Sequence, residues 1–194
     1  PEVLLFDPLT FIGGKTLTVE SAMPSHDGKK IVIGYSEQGA EVSTLQIMDV
    51  DSKTFMKDKI PATAGAMAWS FDDSAILYMW IKSADNNDPE GRLNPKTKLH
   101  KIGTDYKTDS DFFSNETYPN LNIEAKSYPY IVLMDETKDY VFAGEGTVQN
   151  ELKMWYAPIS EFNSGNINWK KLMDTSDKLI GQPSVLDGKM YAIT

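Results

Sequence analysis

The chain contains no cysteine. That removes a disulfide framework, a thiol nucleophile and any zinc site built on thiolates, and it leaves the compartment open between cytoplasm and periplasm. Basic residues are few: 19 Lys and Arg stand against 28 Asp and Glu, a formal net charge of -9. A surface of that sign argues against a nucleic-acid partner, whose phosphates require a basic face. The surplus acid serves solubility and can attract the amino termini of short peptides. With only two histidines, most metal sites are out of reach, and neither a cofactor nor a metal is expected. No stretch approaches the roughly 20 apolar residues of a membrane helix, so no membrane partner is expected. A sustained apolar period of 3.6 is missing too, which predicts very little helix.

What is present is β structure. Apolar residues make up 41% of the 194 positions and aromatics 11%, enough for a sizeable core. The chain is organised around residues 24–52. There the turn Ser25-His26-Asp27-Gly28-Lys29-Lys30 opens the apolar run Ile31-Val32-Ile33-Gly34-Tyr35-Ser36. A polar corner, Glu37-Gln38-Gly39-Ala40-Glu41, separates that run from a second strand, Ser43 to Val50. Gly tolerates positive φ and Asp caps nearby amides, so Asp27-Gly28 reverses the chain tightly.

Similar units recur at Ser70-Phe71-Asp72-Asp73-Ser74, at Asp135-Glu136-Thr137-Lys138-Asp139 and at Leu186-Asp187-Gly188-Lys189, each followed by an apolar strand. The turns at 27, 72, 135 and 187 lie 45, 63 and 52 residues apart. A polar turn opening a strand every ~40–50 residues is the period of a four-stranded propeller blade. Further strands are expected at residues 3–6, 15–20, 64–69, 76–81, 99–102, 128–133, 140–143, 152–157 and 167–173. Residues 54–63, with Pro61, read as a polar crossing, and 83–97 as a long polar loop.

The wording of these units resembles the N-terminal β-propeller of the prolyl oligopeptidase family of serine peptidases. The likeness is carried by the Asp27-Gly28-Lys29-Lys30 turn, the strand ending Gly34-Tyr35-Ser36 and the Gly39-Ala40-Glu41 corner. It continues through Ser43-Thr44-Leu45-Gln46-Ile47-Met48-Asp49-Val50. In family order come also Phe6-Asp7-Pro8, Met67-Ala68-Trp69, Lys98-Leu99-His100-Lys101-Ile102-Gly103-Thr104 (read as closing a blade), Asn150 to Tyr156 and Asn168-Trp169-Lys170-Lys171-Leu172. The resemblance implies an all-β fold: residues 1–194 as part of a seven-bladed propeller, about four blades of antiparallel four-stranded sheet. It also implies a catalytic α/β-hydrolase domain, carrying Ser, Asp and His, that this chain lacks.

Each candidate for chemistry has a plainer reading. Ser36 sits in Gly34-Tyr35-Ser36-Glu37-Gln38-Gly39, one residue longer than a G-x-S-x-G elbow and followed by a corner rather than a helix; no catalytic residue is assigned. His26 reads as a solvated turn residue, and His100 as satisfying a backbone partner. Asp72-Asp73, Asp49 with Asp51, and Asp85 with Asp88 lack the spacing of a calcium loop and suit turn chemistry. Gly144-Glu145-Gly146 reads as a loop, without the helix a phosphate site needs. Asn115-Glu116-Thr117 fits an N-glycosylation pattern, which matters only in a secreted eukaryotic protein. Trp69, Trp80, Trp155 and Trp169 suit packing between blades better than a ligand site.

The resemblance adds one substrate-steering residue, Glu41, at a corner where the family carries an acid. It places Ala64-Gly65 where the family often has a larger apolar side chain, so direct substrate contact from that strand is not expected.

The implied function is a gate on a prolyl oligopeptidase-like peptidase, admitting short peptides to a catalytic centre elsewhere; the alternative is a non-enzymatic propeller serving as a binding module. The expected partners are short peptides and the protein's own catalytic domain. A chain that begins Pro1-Glu2 and ends within a strand at Thr194 reads as a fragment, and its open blade faces are expected to self-associate.

Overall fold

The computed structural model describes residues 2–11, 16–37, 40–85 and 87–194. Gly13-Gly14, Lys15, the corner residues Gln38-Gly39, Asn86 of the long loop and Pro1 lie outside them. Strands are the main regular structure of the described residues. Among those residues helix is confined to α1 (Pro8–Phe11) and five single 3-10 turns.

The strands are β1 (Leu17–Pro24), β2 (Lys30–Glu37), β3 (Ser43–Asp49), β4 (Thr54–Trp69), β5 (Ala75–Trp80), β6 (Lys96–Lys101), β7 (Ser110–Phe113), β8 (Tyr128–Val132), β9 (Tyr140–Gly146), β10 (Met154–Pro158), β11 (Lys170–Met173), β12 (Ile180–Leu186) and β13 (Lys189–Ile193). Among the described residues β1 to β7 form one antiparallel sheet in chain order, β8 to β11 a second, and β12–β13 a hairpin. Within each sheet, strands adjacent in sequence pair in space.

β4 is the hinge of the large sheet. Its first part pairs with β3, from Asp49↔Thr54 to Ser43↔Thr63. Its last part pairs with β5, from Thr63↔Trp80 to Trp69↔Ile76. Between them the backbone turns left-handed at Ala62 (φ 56°) and at Gly65 (φ 119°). Only glycine takes the latter value readily. The expectation of a polar crossing at 54–63 is thus corrected. The polar residues belong to a strand with one wet face, and Pro61 stands at its bend rather than ending it.

Alternate side chains of the central strands go to different cores. Val32, Leu45, Ile47, Ile60, Trp69, Ile76 and Tyr78 fill the space between the two halves of the large sheet. Leu77, Leu99, Phe113, Ile131, Val141, Trp155 and Trp169 fill the space between its second half and the four-stranded sheet. Strands covered on both faces read as unbroken apolar runs instead of alternating ones, which is why residues 31–35 and 75–80 were so legible. The hairpin lays Val185 and Met190 against Phe142, Met154 and Met173 on the far side.

At the other end, residues 3–6 are not a strand. Leu5 and Phe6, with Phe11 of α1, instead cover Ile33, Tyr35 and Met48 on the open face of the first half. The large sheet also continues past residue 101 to β7, so the Lys98–Thr104 motif does not close it.

Candidate functional site: stacked turns and the joints between sheets

Two of the turns picked out by their repeat, at 25–30 and 70–75, share one construction. Ser25 Oγ donates to Asp27 Oδ1 (2.7 Å) and accepts from Lys30 N (3.0 Å), while Lys29 N donates to Asp27 Oδ1 (3.0 Å). Ser70 Oγ likewise donates to Asp72 Oδ1 (2.6 Å) and accepts from Ala75 N (3.0 Å), and Ser74 N donates to Asp72 Oδ1 (3.1 Å). These donors hold the Asp27 and Asp72 carboxyls below the usual carboxylate range. The next position is left-handed in both turns, at Gly28 (φ 70°) and at Asp73 (φ 55°).

That equivalence places Asp73 where a side chain points out of its own turn. Its Oδ1 accepts from His26 N (2.9 Å) and its Oδ2 from Asp27 N (2.9 Å), and the His26 ring nitrogen Nδ1 lies 2.7 Å from Oδ1. Burial pushes the Asp73 carboxyl up, but the two amides and the His26 ring outweigh it and leave it lowered. His26 Nε2 lies 4.0 Å from Asp135 of the third turn. Three turns separated by tens of residues therefore meet on one side of the molecule. His26 is not simply solvated: Asp73 orients its ring.

Glu41, the expected steering residue, is exposed and faces Arg92 Nη2 at 3.3 Å. Ser36 is buried, and its Oγ donates to Glu20 Oε1 at 2.7 Å. Glu20 sits in a bulge of β1, where the register with β2 slips between Val19 and Ser21. Asp49 and Asp85 make turn contacts, accepting from Ser52 N and Asn87 N at 2.8 Å each.

Gly144-Glu145-Gly146 is no loop but the end of β9. A Cβ at Gly144 would lie 2.1 Å from Cζ of Tyr130, so glycine is needed for that ring to lie across the strand. Glu145 is buried, accepts from Ser127 Oγ (2.6 Å) and Glu124 N (2.7 Å), and pairs with Lys153. Trp69, Trp155 and Trp169 pack between sheets. Trp80 carries Lys96 and Lys98 over its ring at 5.8 and 5.6 Å, and both lysines pair with Asp111.

His100 is the site the sequence did not reveal. It is fully buried, with Nδ1 2.8 Å from Asp109 Oδ1 and Nε2 3.0 Å from Asp58 Oδ1. Its partners are carboxylates, not a backbone group, and Asp58 stands 42 residues away in sequence. A cleft of about 220 Å³ opens beside the second turn, lined by Phe71, Asp72, Leu99, Lys101, Leu133 and Phe162 among others.

Comparison with curated proteins finds no match. Solved structures do match in fold. A prolyl endopeptidase, from a study of inter-domain dynamics in two such enzymes, superposes with a TM-score of 0.74 at 18% identity, over 97% of this chain and 26% of the other. Prolyl oligopeptidase B of Galerina marginata, bound to a 25mer macrocyclization substrate, gives 0.68 at 17% identity over 85% and 24%. A post-proline cleaving enzyme of Rickettsia typhi gives 0.62 at 12% identity over 84% and 24%. The chain thus spans about a quarter of the length of these proteins. The family description "Prolyl oligopeptidase, N-terminal beta-propeller domain" matches residues 1–182. The match over residues 1–182, nearly the whole length, places this chain in the prolyl oligopeptidase N-terminal β-propeller family.

Proposed function

We propose that this chain is the substrate-gating propeller of a proline-specific serine endopeptidase. The observation that carries the reading is the family match over residues 1–182. In this reading the seven-stranded sheet is two four-stranded blades that share β4. The strands β8 to β11 are a third blade, and β12–β13 opens a fourth of a seven-bladed ring. The shared strand supports it: β4 ends one pairing and begins the next at Thr63.

A gate of this kind works by exclusion. Blades rigidified by two-sided packing and by the Asp73 and His100 contacts keep a folded protein out, while an extended peptide passes to a catalytic domain outside this chain. Glu41, on an exposed corner, favours the positively charged amino terminus of such a peptide. This stretch alone is inactive, since the nucleophile lies elsewhere.

The test is a paired assay on the full-length protein carrying this chain and on the chain by itself. One substrate is a short proline-containing peptide, and the other is the same sequence set in a surface loop of a folded protein. The expected outcome is cleavage of the peptide alone, after proline, by the full-length protein alone. A full-length protein that cleaves neither sinks the peptidase reading in favour of a binding module. Equal cleavage of both substrates sinks the gate.

A further inference from the structure

We infer that His100 is a doubly protonated ring that clamps the first half of the large sheet to the second, and that raising the pH releases the clamp. The inference rests on hydrogen-bond inventory. A neutral imidazole offers one donor and one acceptor, whereas an ionised carboxylate only accepts. Both ring nitrogens of His100 face carboxylate oxygens, at 2.8 and 3.0 Å, with no exposure to water. A neutral ring would set a lone pair against a lone pair at one of them.

The alternative, a proton held on one carboxyl, is opposed by the other donors present. Tyr78 on β5 donates to Asp109 Oδ2 at 2.9 Å. The Gly103 amide, just beyond β6, donates to the same Asp58 oxygen that faces His100. Each donor favours the ionised carboxylate. Lys98 adds positive charge nearby, its Nζ donating to the Asp109 carbonyl oxygen at 3.3 Å and pairing with Asp111 on β7. The site is thus a cation between two buried anions. Burial pushes the ring's proton affinity down, but Asp109 and Asp58 outweigh it and leave the pKa above the ordinary histidine value.

Its place in the fold makes this a joint. Asp58 lies in the part of β4 that pairs with β3, whereas His100 lies on β6, paired with β5 on the facing half. The Gly103 amide, donating to Asp58, adds a backbone-to-carboxylate link from that part of β4 to the β6 end. Loss of the proton turns attraction across the joint into repulsion, and the release falls there rather than within either half.

The experiment is 15N NMR of the histidine rings in the intact protein, together with amide hydrogen exchange across a pH series, corrected for intrinsic exchange. The expected result is that His100 keeps both ring N–H groups at about pH 6.5, where an ordinary imidazole is half deprotonated. The Gly103 amide and the first half of β4 then lose protection as the ring titrates, while β8 to β10 do not. Asp58→Asn should lower the ring's titration midpoint and shift the loosening to lower pH with it. A single N–H tautomer at about pH 6.5, or loosening at Gly103 unchanged in Asp58→Asn, overturns the inference. Should Asp58→Asn fail to fold, the ring titration of the unaltered protein decides alone.

Discussion

Single residues in this chain gain their roles from partners far off in sequence. Glu145 is an example. Burial pushes its carboxyl up, but Lys153, Ser127 and the Glu124 amide outweigh it and hold the pKa below the ordinary 4.5. A lowered carboxyl contributes stability that is present above its unfolded pKa and lost as pH falls through the folded one. Glu145→Gln leaves the Lys153 ammonium without its buried counter-charge, with an expected loss of roughly 1–3 kcal/mol at neutral pH. The difference between variant and parent should shrink on acidification below the unfolded value. Denaturant titrations at several pH values check this, and a pH-independent difference would show that Glu145 acts by shape alone. His100 has the opposite sign: its contribution is complete below the unfolded histidine value and lost as pH rises through the raised one. Acid and alkali should therefore loosen different joints.

At the scale of the element, β4 decides the architecture. Sixteen residues run through two pairings, and the change of direction falls at Ala62 and Gly65. A Cβ at Gly65 would meet nothing within 4 Å, so a substitution there is penalised by backbone conformation and not by crowding. Gly65→Ala is expected to cost roughly 1–3 kcal/mol. A shift of that size in the urea midpoint, with the slope unchanged, is the check. An unchanged midpoint would mean that the bend is set by Pro61 and Ala62. The Ser-x-Asp turns are the second decisive element. They were legible because their chemistry is local, a hydroxyl and a carboxylate serving amides within five residues. The role of Asp73 was not legible, since its acceptors' partners belong to another turn.

At the scale of the whole molecule the two ends differ. The first half of the large sheet is covered by Leu5, Phe6 and Phe11. The hairpin's outer side leaves Leu186, Tyr191 and Ile193 more than half exposed. An apolar sheet face with an unpaired edge recruits a partner. We propose that the chain by itself self-associates through this face. Sedimentation at increasing concentration should show dimers or larger species, and replacing Tyr191 and Ile193 with Lys should return the monomer. A monomer at all concentrations would remove the proposal. No helix among the described residues is long and apolar enough to cross a membrane.

The sequence by itself determined what depends on neighbours along the chain. It settled the predominance of strands, the position of the polar turns, the apolar strands at 31–36 and 76–81, and the family whose motifs these residues carry. It misread residues 3–6, 54–63 and 144–146, where apolar content, a proline and paired glycines pointed to a strand, a crossing and a loop. In each, packing against a distant surface overruled local preference: Phe6 against Phe55, β4 against β3 and β5, and Tyr130 lying over Gly144. Only the tertiary structure decided the fate of the buried charges. A histidine flanked by aspartates 9 and 42 residues away carries no local signal. Its charge state follows from which groups surround it once water has been excluded.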